Sequence, residues 1–329
     1  MKRGSMAVSI KKKELELDKV RQKIHALHQN IGLVIKGKPE AISLAITTLL
    51  ARGHLLIEDA PGVGKTLLAQ GLARSIHSAF QRVQFTSDLL PSDILGVPVY
   101  NPHTGAFEFK PGPIFTNIVL VDEINRTSPK TQSSLLEAMN EFQVSVDGQT
   151  YPLPQPFMVI ATQNPLEYHG TYPLPESQLD RFMIMTHMGY PPLAEEKEIL
   201  THLRIEEEVK RLQPVMSGQE VIDMQQRVDE VRVDDGILTY VMAIVTATRN
   251  TEHLRLGISP RGALFLVRSA KARAFMEGRA YCIPDDVKSL VLPVLAHRVI
   301  PASGFGTDGY RQEAEKNLRE ILDRIPVPL

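Results

Sequence analysis

The stretch Asp59-Ala60-Pro61-Gly62-Val63-Gly64-Lys65-Thr66 constrains this chain more than any other. It follows a short apolar run, His54-Leu55-Leu56-Ile57-Glu58, and precedes an apolar helical pattern from Lys65 to Ile76. A glycine-rich turn between a buried strand and a helix suits phosphate. Glycines let backbone N–H groups converge on the oxygens, and the helix presents the positive end of its dipole. Lys65 then reaches the β- and γ-phosphates, and Thr66 ligates Mg²⁺. Pro61, Val63 and Leu67 complete the expected ATP-binding stretch with Gly62 and Gly64. The strict pattern has glycine where Asp59 stands, so the turn is expected to differ there while the inner glycines keep the phosphate contact.

The residues downstream supply what such a loop needs. Ile118–Val121 is wholly apolar and leads into Asp122-Glu123, and Phe157–Ala161 leads into Thr162-Gln163-Asn164. Arg82–Phe85 and Phe182–Thr186 read as further strands. Strands alternating with helices imply a parallel sheet covered on both faces. A carboxylate ending a central strand beside a phosphate loop can hold Mg²⁺ through water, the role read for Asp122. A second carboxylate, Glu123, can polarise the attacking water, and the Asn164 amide can orient it. Taken singly, Asp-Glu is a strand entering solvent and Asn164 a turn residue; their order along the chain favours the chemical reading. Arg181 and Arg261 carry guanidinium groups suited to a transferring phosphoryl group. Both suit surface ion pairs equally well on spacing alone.

The periodicity predicts helices over 14–35 and 39–50, and a helix capped by Ser128-Pro129. Two hairpins interrupt the α/β plan: one turns at His103-Thr104-Gly105, the other at Asp147-Gly148, a strong two-residue turn signal. After Pro191-Pro192 only helices are expected, over 194–211, 218–231, 234–250, 260–277 and 284–297. The expected organisation is a flexible basic tail over 1–13, an α/β core with two hairpin inserts over 14–191, and an all-α domain over 192–329. A formal net charge of −1 gives no overall field toward nucleic acid. The single cysteine, Cys282, suits a reducing cytoplasm, and the ten histidines show no metal spacing. No apolar run approaches the roughly 18 residues of a membrane span. Met1–Lys13 has basic residues without the apolar core of a secretory signal.

At this level the chain resembles the AAA+ ATPases, and within them the MoxR group. The strings that carry the finer likeness are Gly112-Pro113-Ile114-Phe115, Val121-Asp122-Glu123-Ile124-Asn125-Arg126 and Pro129-Lys130-Thr131-Gln132-Ser133-Ser134-Leu135-Leu136-Glu137-Ala138-Met139. Ala161-Thr162-Gln163-Asn164-Pro165 and Gly170-Thr171-Tyr172-Pro173-Leu174-Pro175-Glu176 complete them. The resemblance implies a P-loop AAA+ core followed by a helical lid. It implies Lys65 and Thr66 as Walker A, Asp122 and Glu123 as Walker B, and Asn164 as sensor 1. Arg181 becomes the arginine finger reaching a neighbour's ATP, with Arg126 as a rival, and Arg261 becomes sensor 2. Gly37 falls in the adenine-side segment, where Lys38 replaces the frequent glutamine. The hairpins match the helix-2 and pre-sensor-1 inserts. The family pattern further implies a homo-oligomeric ring of six, chaperone-like remodelling of protein clients, and partners with a von Willebrand A domain. This chain lacks that domain's Asp-x-Ser-x-Ser motif, so such a partner is expected to be a separate polypeptide. A metal-chelatase subunit and a nucleic-acid-directed motor are the alternatives from related ATPases.

Overall fold

In the computed structural model, which describes residues 2–164, 171–201, 205–302 and 309–328, the chain forms two compact units. One is Asn30–Ile222; the other joins Met1–Gln29 to Asp223–Leu329. Pro165 and Gly170 of the likeness strings lie outside the described residues.

The first unit is built on a five-stranded parallel sheet. Its strands are β1 (Leu55–Glu58), β2 (Phe80–Gln84), β5 (Ile118–Asp122), β8 (Met158–Gln163) and β9 (Ile184–Thr186), in the order β2-β5-β8-β1-β9. Every residue of β5 is buried, as a central strand covered on both faces requires. Helices α2 (Pro39–Leu50), α3 (Lys65–Ser75) and α5 (Pro129–Glu141) lie along this part of the chain. Ser128 caps α5 by accepting the Thr131 N–H at 3.4 Å, with Pro129 in the first turn. Inside the core, His54 accepts the Val159 N–H on Nδ1 at 3.0 Å. Its Nε2 therefore carries the proton donated to the Met139 carbonyl at 2.9 Å, which ties β1, β8 and α5 together.

Two antiparallel hairpins stand off the sheet. A short helix α4 (Pro91–Leu95) leads into β3 (Gly96–Asn101) and β4 (Ala106–Pro111), and β6 (Gln143–Val146) pairs with β7 (Gln149–Pro152). At the base of the first, a Cβ on Gly112 would lie 2.3 Å from the Ile94 carbonyl oxygen, so only glycine fits. The second turns through Asp147 and Gly148, both at positive φ, as its Asp-Gly pair predicts. Phe109 stacks on Tyr151 at 4.0 Å between ring centroids, so the two inserts touch. Tyr100 and Phe107 meet edge to face yet remain 54% and 72% exposed.

The first unit also keeps α6 (Glu176–Leu179), α7 (Leu193–Thr201) and α8 (Ile205–Arg211). The division between the compact units falls at Ile222, beyond the Pro191 turn. Val209 and Leu212 are buried, and the Val215 N–H donates to the Ser75 carbonyl at the end of α3, which holds this segment to the core.

The second unit contains the first part of α1 (Lys2–Gly32), then α9 (Gly218–Asp229) from Asp223 on, α10 (Asp235–Arg249), β10 (Leu254–Leu256), α11 (Pro260–Met276), α12 (Pro284–Lys288), α13 (Val291–Leu295), β11 (Ile300–Pro301) and α14 (Tyr310–Arg324). Residues 2–13, expected as a flexible tail, have helical backbone; no glycine or proline interrupts the chain from Ser5 to Ile31. The helix expected over 284–297 is divided. Pro293 has no N–H and fits only a first turn, so a new helix starts at Val291. The unit is helical, with one short antiparallel ribbon of β10 and β11. Arg279 and Asp286 form a two-fold ion pair at 2.7 and 2.6 Å inside it. Desolvation pushes the buried Cys282 thiol up to about 12, which leaves it a protonated packing group.

Candidate nucleotide site

The turn after β1 folds as its glycines demand. Gly62 and Gly64 have φ of 85° and 96°, and Gly64 opens α3 as a left-handed N-cap. Lys65 Nζ donates to the Asp59 carbonyl at 2.8 Å, which bends the ammonium back over the loop. Thr66 follows in the first helical turn. Beside Gly64, a Cβ would meet Ile35 Cδ1 at 3.6 Å and Met188 Cε at 3.7 Å, so two apolar side chains flank the loop. Gly37, at φ 68°, packs so closely that a Cβ would lie 2.9 Å from Pro192 Cδ. Lys38 Nζ donates to the Tyr190 carbonyl at 2.5 Å. The segment carrying Gly37 is thus held to the exit of β9.

Strand register brings the second group of residues to the same edge. Glu58 pairs with Gln163, and Val121 with Ala161, so β1, β8 and β5 end together. Asp122 is two strand spacings from β1, roughly 10 Å across the sheet. Its side chain is 10% exposed; Oδ1 accepts the Thr162 hydroxyl at 3.1 Å and Oδ2 the Arg82 Nε–H at 2.6 Å. Glu123 sits in the left-handed region at φ 58°, a conformation uncommon for non-glycine residues. Its N–H donates to Thr162 Oγ1 at 3.0 Å, and its Oε2 accepts Gln84 Nε2 at 2.6 Å and faces Arg126 Nε at 3.3 Å. The two adjacent carboxylates thereby each hold a side chain of β2, Asp122 that of Arg82 and Glu123 that of Gln84.

Asn164 follows β8 directly and is buried. Arg181 lies between α6 and β9, half-buried. Arg261 opens α11 in the other unit, exposed behind the Ser259 cap. The core fold therefore gathers the loop, Asp122, Glu123 and Asn164 at one sheet edge, whereas Arg261 belongs to a separate body. Thr66 and Asp122 offer a hydroxyl and a carboxylate, hard oxygen donors few enough to leave a metal its waters. That donor set fits Mg²⁺. Sequence reasoning missed Thr162, Arg82 and Gln84. The last two alternate along β2 and so share one face, which a period-two reading of that edge strand would have exposed.

A separate cavity of about 620 Å³ opens at the far end of α3, lined by Arg74, His77, Phe80, Val209 and Leu212 among others. It lies a helix length, roughly 16 Å, from the loop. It is not part of the constellation above.

Comparison with known proteins adds relatives over nearly the whole chain. A family described as "ATPase family associated with various cellular activities (AAA)" matches residues 54–184, and one described as "AAA lid domain" matches 246–321. The protein YeaC of Bacillus subtilis is 48% identical over 92% of this chain and 93% of its own length. The chaperone MoxR1 of Mycobacterium tuberculosis is 38% identical, over 93% of this chain and 83% of its own. The crystal structure of a candidate ATPase from Cytophaga hutchinsonii superposes with a TM-score of 0.86 at 36% identity, covering 98% of this chain and 99% of that one.

Proposed function

The chain belongs to the MoxR family of AAA+ ATPases, and on that premise we propose that it hydrolyses ATP to remodel or mature partner proteins in the cytoplasm. The observation that carries the reading is the single sheet edge where the Gly62–Thr66 loop, Asp122, Glu123 and Asn164 converge. The remodelling role is taken from the relative named a chaperone.

In this reading the backbone N–H groups of the loop bind the phosphates and Lys65 neutralises their charge. Thr66 and Asp122 would hold Mg²⁺, which when bound supplies charge neutralisation at the phosphate oxygens. Glu123 takes the proton of the attacking water, and the Asn164 amide aligns that water for in-line attack. Ile35, Met188 and the Gly37 segment receive the adenine side. Arg181 completes a neighbouring subunit's site, with Arg126 as its competitor for that part, and Arg261 contributes a further cation. Six subunits form the ring. The hairpin inserts transmit the cycle to a protein client or to a separate partner with a von Willebrand A domain.

The trans arrangement has a direct test. Arg181→Ala should still bind nucleotide while turnover falls by about 10³-fold or more, and mixing it with Glu123→Gln subunits should restore part of the activity. Full-rate hydrolysis by a monomer would contradict the arrangement.

A further inference from the structure

Asp59 is the one residue of the loop that departs from the strict phosphate-binding pattern, and its polar atoms are used in two directions. Its N–H donates to the Gln163 carbonyl at 3.1 Å, which extends the β1–β8 ladder by one step. Its carbonyl accepts the Lys65 ammonium. The carboxylate turns the other way. Oδ1 accepts the Ala60 N–H at 2.9 Å, while Oδ2 accepts two consecutive N–H groups, Met188 at 2.7 Å and Gly189 at 2.6 Å. Gly189 has φ 60°, so two successive amides point at one place and form a small anion cradle. Here the anion is internal.

The cradle begins where strand pairing stops. The β1–β9 ladder ends at Ile57 and Thr186. One step on, the His187 ring contacts the Glu58 carbonyl, and two steps on Asp59 takes over. Side chains thus continue the ladder past its last backbone bond, something glycine at 59 cannot do. Met188, held this way by its own N–H, is the residue whose methyl lies against Gly64 together with Ile35. The same stretch runs on to Tyr190 and Pro192, which hold Lys38 and Gly37.

The geometry points to Asp59 as a positioning residue for the nucleoside half of the ligand: its carboxylate locks the apolar wall of Met188 to the phosphate loop and so sets affinity for the base rather than for the phosphates. This rests on the nucleotide reading above. Charge-assisted bonds to two backbone amides are among the stronger ones a side chain makes, and an aspartate oxygen accepts both at once.

The experiment titrates the full-length wild type, Asp59→Gly and Asp59→Asn with MgATP, MgGTP and magnesium tripolyphosphate, and follows amide exchange at Met188 and Gly189. Asp59→Gly should weaken ATP by about tenfold and narrow the ATP-to-GTP ratio, with tripolyphosphate changed by less than about threefold. KM for ATP should rise with kcat kept, and the two amides should exchange faster. Asp59→Asn keeps the volume and one acceptor oxygen, so it should fall between; it carries the comparison if the glycine variant does not fold. ATP affinity and amide exchange like the wild type in both variants would overturn the inference. So would an equal loss of ATP and tripolyphosphate, which would make Asp59 a general support of the loop. A well-folded wild type that takes up no ATP would instead overturn the functional reading itself, and this inference with it.

Discussion

Two arginine–aspartate pairs, one in each unit, have the same 2.6 Å contact and opposite designs. In the helical unit Arg279 grips Asp286 with two N–H groups, and Asp286 also accepts the Ile283 N–H at 2.9 Å. The aspartate side chain is 4% exposed and the arginine 22%. Hydrogen bonding to Asp286 raises the Arg279 pKa above its ordinary value, so the contact favours the charged guanidinium. In the core Arg82 reaches Asp122 with one N–H and is 53% exposed, while the other Asp122 oxygen holds only a hydroxyl. The first pair is fully engaged and ties the loop after α11 to the first turn of α12. The second leaves lone pairs and a hydrated guanidinium, so its partners can be exchanged at little cost. The metal-holding role proposed for Asp122 requires a carboxylate of the second kind.

Substitutions can break or sharpen that contrast. The largest effect should come from the open edge: Glu123→Gln is expected to bind ATP and lose about 10²–10⁴-fold in turnover, measured as phosphate release, with the unfolding midpoint unchanged. Wild-type turnover in that variant would remove the base assignment. Next, Asp286→Asn should destabilise by about 3 kcal/mol in urea unfolding, because it removes the nearly buried negative charge that two Arg279 N–H groups and the Ile283 N–H converge on. A loss below about 1 kcal/mol would erase the distinction between the pairs. Smallest, Arg82→Gln should change stability by less than about 1 kcal/mol, since Arg82 itself is 53% exposed, its single bond is screened by water, and Asp122 keeps the Thr162 hydroxyl. If it costs as much as Asp286→Asn, the core pair is structural after all.

The sequence carried the plan of the core well because buried parallel strands leave continuous apolar runs, as in Ile118–Val121, and because each run ends on its polar residue at the same edge. Asp147-Gly148 named its own hairpin. What stayed hidden depends on contacts distant in sequence. The Asp59 carboxylate finds its amides 129 residues later, and Arg82 looks like any charge on an edge strand until Asp122 is placed beside it. The extent of the compact units depends on such contacts too. A proline pair marks a turn, but Val209 and Leu212 still bury with the core beyond it, and α1 begins in one unit and ends in the other. Helix α14 buries Ala314, Leu318, Ile321 and Leu322, a spacing of three and four that marks a helix in the sequence itself.

Calorimetric titration of the purified chain with ATP, with magnesium and then with magnesium chelated, tests the central claim most directly. Saturable uptake that weakens without the metal and is lost in Lys65→Ala is the expected result. Well-folded wild type that gives no binding heat at any temperature tried, or Lys65→Ala that binds as tightly, would contradict it.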